Sequence, residues 1–146
     1  MSGLLLALLL SLLAGLAISF QGTLNTLLSK SVGILESTLV VHLVGFMFAA
    51  VLLVVGVGSG SMAKIWEAPK ISLTGGLLGV IIVSSTIFAI SKLGVSYALA
   101  LVILAQLMAA GAIDHFGLLG VEQTAFTWKR ALGVTIIVAG VFLMKK

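Results

Sequence analysis

The sequence predicts an all-α, polytopic membrane protein with five transmembrane helices. Three observations carry that expectation. Of 146 residues, 61% are hydrophobic and 8% are charged, with a mean hydropathy of +1.35. Soluble domains carry about 25% charged residues, which cover their outer surface. The apolar residues fall into five runs of roughly 20, the length that crosses a hydrocarbon core. The runs are continuous rather than alternating. A backbone in lipid must close its hydrogen bonds within helices or a barrel, and continuity selects helices.

The spans follow in order. The first covers about 3–28 and is closed by Lys30. Ser2 to Leu28 carries no charge. A signal peptide has a basic start and a shorter apolar core, so this segment is read as a retained span. The second covers about 37–57, entered by Glu36-Ser37, with Glu36 as the N-cap. The third covers about 72–91, between Pro69-Lys70 and Lys92. The fourth covers about 95–113 and is closed by Asp114. "SKLGVS" between them is a tight turn, making a helical hairpin. The fifth covers about 126–144, before Lys145-Lys146. The link "DHFGLLGVEQTAFTWKR" is the longest and partly apolar, which suits the interface. No internal repeat and no second domain are evident, so residues 1–146 read as a single membrane domain.

Charge excludes several classes. There is no cysteine, so thiolate metal sites, disulfides and Cys nucleophiles are absent. The net charge of +4 lies at span ends, where Lys and Arg anchor helices, and forms no stripe for nucleic acid. No HExxH, GxSxG, P-loop or paired carboxylates occur, so the chain is not expected to be an enzyme or to hold a cofactor or metal. With five spans, Lys64, Lys70, Lys129 and Arg130 lie on one side, and Lys30, Lys92, Lys145 and Lys146 on the other. Four against four gives the positive-inside rule no preference. Either position-dependent weighting fixes one orientation, or copies insert both ways and pair antiparallel. Such a pair would reproduce an inverted-repeat architecture.

Helices in lipid associate through small residues and interhelical hydrogen bonds. Gly15 and Gly22 lie on span 1, Gly45 on span 2, Gly75 and Gly79 on span 3, and Gly133 and Gly140 on span 5. These are the expected packing positions. The polar residues inside the spans each have two readings. Gln21 and Asn25, at i and i+4, are helix–helix ties or cavity contacts. His42 is the ionisable group placed clearly inside a span, where such groups mark functional sites. It is a hydrogen-bonded neutral ring or a cavity residue with a proton role. Gln106 and Asp114 share a face of span 4. Gln106 is deep enough for a cavity. Asp114 is an interfacial anchor paired with Lys129, Arg130 or His115, or a second proton carrier. Ser84, Ser85 and Thr86 are expected to bond back to their own helix. Trp66 and Trp128 fit an aromatic belt, and Tyr97 an interface.

"FQGTLNTLLSK", "VHLVGF", "GGLLGV", "LAQLMAAGAIDHFGLLG" and "WKRALGVTIIVAGVFLMKK" together resemble the YdcZ-type family of proposed inner-membrane exporters. These are five-span members of the drug/metabolite transporter superfamily. The resemblance covers most of the chain, and "AQ…DHFG…G" is its most specific part. It implies a multi-pass protein of the bacterial inner (cytoplasmic) membrane, half of an inverted-repeat ten-helix transporter, acting as a homodimer. It supplies neither a substrate nor binding residues. The acid that four-span small multidrug exporters carry in mid-span 1 is missing, which argues against simple drug/proton antiport.

The expectation is a small secondary transporter exporting a small molecule or metabolite. It would work as an antiparallel homodimer by alternating access. Gln21, Asn25, His42 and Gln106 would line the cavity, with His42 and then Asp114 coupling protons. A non-transporting scaffold or regulatory subunit is the alternative from another class, and a passive channel is the third.

Overall fold

The computed structural model describes residues 2–145. Five α-helices follow one another: α1 Ser2–Val32, α2 Ile34–Val54, α3 Gly75–Leu93, α4 Val95–Phe116 and α5 Trp128–Leu143. Short 3-10 turns cover Met62–Glu67, Lys70–Thr74 and Leu118–Gly120. No strand occurs among the described residues. The described residues form an all-helical fold, and among them four stretches are long and apolar enough to cross a membrane: Gly3–Val32, Ile34–Val54, Lys70–Leu93 and Val95–Phe116. The expected fifth span is the exception. α5 has 16 residues, which at ~1.5 Å per residue rises about 24 Å, short of the ~30 Å hydrocarbon core. It starts later than expected because Thr127 caps it, accepting from the Arg130 amide at 3.4 Å.

The chain divides into two compact units, one running through Phe88 and the other from Ala89. In the first, α1 folds back onto α2 across one residue. Gly33 has φ 101° and ψ 161°, a region essentially closed to side-chain-bearing residues. Its amide still donates to Ser29 O at 2.9 Å, and its carbonyl accepts from the Ser37 amide at 3.0 Å. Helical bonding therefore resumes at once on either side. Gly33, not Glu36, is the N-cap of α2. Glu36 sits in the first turn, where a carboxylate complements the helix dipole. The buried side chains of this hairpin are polar: Asn25, Thr26, Ser37 and Thr38. Ser37 Oγ crosses from α2 to donate to Asn25 O on α1 at 3.0 Å. Thr26 Oγ1 and Thr38 Oγ1 donate back to Gly22 O and Ile34 O at 2.8 and 2.9 Å. The short Ser and Thr side chains let the backbones approach while each hydroxyl donates to a carbonyl.

The second unit repeats the device with apolar chemistry. Gly94, φ 80° and ψ 163°, separates α3 from α4. It donates to Ile90 O at 2.9 Å and accepts from the Ala98 amide at 3.1 Å. Four and five residues past the glycine, Ala98 and Leu99 are buried, as Ser37 and Thr38 are past Gly33. They close on Ile90, with Ala89 and Val95 against them. "SKSVG" and "SKLG" are thus two copies of one turn, a local repeat that the sequence did not lead us to expect. α4 runs to Phe116 and ends at Gly117, whose left-handed φ of 60° and ψ of 35° closes the last turn. Asp114 and His115 therefore belong to the helix rather than marking its exit.

Candidate functional site

The polar groups that the first unit gathers lie along α2. Thr38 is their junction. Its hydroxyl proton goes to Ile34 O, so the Ser84 hydroxyl, 3.0 Å away on α3, donates to Thr38 Oγ1. Ser84 was expected to bond back to its own helix; it reaches across to another instead. One turn further along α2, His42 Nδ1 lies 2.8 Å from Thr38 O. A carbonyl only accepts, so Nδ1 carries the proton and neutral His42 has its lone pair on Nε2. That nitrogen faces Gly79 of α3. A methyl group there would stand 3.1 Å from it. The α2–α3 contact thus has two points: hydroxyl to hydroxyl at 38 and 84, ring to glycine at 42 and 79.

Beside this seam is an open cleft of about 480 Å³ lined by Leu35, Glu36, Thr38, Leu39, His42 and Val80. Its walls are apolar, with three polar groups. The Glu36 carboxylate folds back over Gly33, into the space a side chain at 33 would need. The cleft can take an apolar body, and a carboxylate, a hydroxyl and an imidazole bound it. Three or four convergent polar groups in an apolar concavity are the usual make-up of a small-molecule site.

The remaining expected cavity residues are placed differently. Asn25 is buried beside the Ser37 crossing. Gln21 is exposed, as is Gln106 in the second unit. Of the packing glycines, Gly22 is buried and Gly79 lies under His42. Gly15, Gly45, Gly75, Gly133 and Gly140 open onto empty space in the single chain.

In the second unit, Asp114 pairs with Arg130 at 3.5 Å, both side chains nearly half exposed. A pair this open contributes at most about 1 kcal/mol. Its surroundings show what this end of α4 does. The Thr124 amide donates to Asp114 O at 2.8 Å, and Gln123 Nε2 to His115 O at 2.9 Å. The Phe126 amide donates to His115 Nδ1 at 3.3 Å. The Phe126 ring packs on Gly111, where a Cβ would come within 2.8 Å. The last carbonyls of α4, which have no helical partners, thus clasp the following loop. "DHFG" is a docking device for that loop.

The cluster around Thr38 was only partly legible. Thr38 and His42 share a helix face by their spacing. Nothing in the sequence pairs Ser84 with Thr38, because the tie needs the antiparallel register of α2 and α3. A protein-family model described as "Putative inner membrane exporter, YdcZ" matches residues 6–143. No curated protein matches the chain. No solved structure matches it either.

Proposed function

Since the chain belongs to the family described as "Putative inner membrane exporter, YdcZ", we propose that it is a small secondary transporter that exports a small molecule by alternating access. The observation that carries this reading is the His42 cleft. An ionisable ring and two bonded hydroxyls stand in helices otherwise made for lipid. Polar groups at membrane depth are costly, and they mark substrate or ion pathways. A scaffold would need only the small-residue faces. It would have no use for a cleft with Glu36 and His42 at its wall.

In this reading the chain is a half-transporter that pairs antiparallel with a second copy. The even distribution of basic residues supports it. So do the glycines that open onto empty space, since such positions serve close helix approach. α5 then crosses as a short fifth span, the bilayer thinning locally and Lys145 extending to the headgroups, each at modest cost. Gln21 and Gln106, exposed on the single chain, meet their partners only in the dimer. Asn25 and His42 contact the cargo or the water that accompanies it. His42 couples protons ahead of Asp114, which Arg130 already holds as an ion pair.

Reporters active on opposite sides of the membrane, fused to the C-terminus, test the pairing. The expected result is signal from both. Signal from one side alone would rule out the antiparallel dimer.

A further inference from the structure

The structure assigns positioning roles to Ser84 and Gly79: together they hold the His42 imidazole with Nε2 open as its proton-accepting atom. The inference rests on the proton-coupling reading of His42 and adds which atom titrates and what aims it.

The two nitrogens of the His42 ring have different surroundings. Nδ1 donates to Thr38 O at 2.8 Å. Protonating the ring adds a hydrogen at Nε2 and leaves that bond in place, so His42 can take and return a proton without releasing its anchor. His115 is wired the opposite way. Its Nδ1 accepts from the Phe126 amide, so gaining a proton there breaks an existing bond. Of the two histidines in the chain, His42 alone is arranged to cycle.

Two groups on α3 set the geometry. Ser84 donates to Thr38 Oγ1, on the same residue whose carbonyl holds Nδ1. It fixes the height of α3 against that turn of α2. Five residues earlier, Gly79 leaves the room that Nε2 occupies. A side chain would push the ring, while a missing hydroxyl at 84 would let the two helices slip. The surroundings hold one other titratable group: Glu36, on α2 itself, lines the same cleft. From α3, Gly79 faces the ring, Val80 lines the cleft and Ser84 bonds Thr38, none of them charged. The single charge of α1, Lys30, is exposed near the turn. In the proton step a water or hydronium in the cleft gives H⁺ to the Nε2 lone pair, forming an N–H bond. The ring becomes imidazolium, and the same bond breaks when the proton leaves to water.

The test is nitrogen NMR on the full chain, labelled with 15N-histidine, in lipid nanodiscs. A His115→Gln variant assigns the two rings. The wild type should show neutral His42 protonated at Nδ1 and bare at Nε2, with acidification changing Nε2. Ser84→Ala should shift the ratio of the two neutral tautomers roughly two- to tenfold toward the other one, the worth of one hydrogen bond. Ser84→Thr, which keeps the hydroxyl, should restore the wild-type pattern. Gly79→Ala keeps every hydrogen bond and should displace the Nε2 signal and its titration. It serves as the second variant if Ser84→Ala does not fold. A neutral His42 carrying its proton on Nε2, or Ser84→Ala and Gly79→Ala spectra identical to wild type, would overturn the assignment. Flux separates this from the broader reading. The expected spectra with undiminished pH-dependent flux in His42→Ala would sink the coupling role and leave the positioning intact.

Discussion

Gly33→Ala should destabilise the purified protein by about 1–3 kcal/mol, the cost of holding a residue with a Cβ in this backbone region. Gly33 turns α1 back onto α2 with φ 101° and ψ 161°. A methyl group there also meets the Glu36 carboxylate, which must swing away. Gly94→Ala has the same backbone problem and nothing near its Cβ, so strain alone sets its cost. Gly76→Ala, on an open helical surface, should be neutral or slightly stabilising, since alanine is the better helix former. A thermal melt of the three variants in mild detergent makes the comparison. A Gly33→Ala melt equal to that of Gly76→Ala would show that the one-residue turn is not as described.

His42→Ala should abolish the pH dependence of transport. In the proposed coupling role the His42 ring nitrogen carries the proton, and the variant lacks it. Flux of compounds that raise the wild-type melting temperature, measured in proteoliposomes, provides the readout. The wild-type rate should differ between acidic and alkaline buffer. The His42→Ala rates should coincide. Unchanged dependence on pH would remove His42 from the coupling role and pass it to Asp114.

Much of this architecture was visible in the amino-acid sequence, for physical reasons that also explain the gaps. Runs of about 20 apolar residues announce helices in lipid, and α2, α3 and α4 overlap the second, third and fourth runs with ends shifted by up to three residues. The ends are less legible. Lys30 reads as a stop, yet α1 continues to Val32, because a terminal lysine can extend to the headgroups while its backbone stays helical. Gly33 and Gly94 looked like members of short links. Each is the whole link, which only the backbone angles reveal. Their kinship was hidden because one turn is packed with Asn, Thr and Ser and the other with Ile, Ala and Leu. Gln21 and Asn25 share a spacing but not an environment. Four residues advance a helix about 40° beyond a full turn, enough to separate a buried amide from an exposed one. His42 stood out because it is ionisable and inside a span. Ser84 and Gly79 did not, since serine and glycine are ordinary in such helices.

The proposed export route needs water to reach the cleft between α2 and α3, and the absence of native cysteine makes that directly testable. Single cysteines at positions 36, 39 and 42, which line the cleft without being buried, should react with a membrane-impermeant maleimide in intact proteoliposomes. Cysteines at Leu9 and Leu13 on the apolar face of α1 should not. If positions 36, 39 and 42 are as unreactive as the leucine sites, there is no aqueous route to the cleft, and the transport reading fails with it.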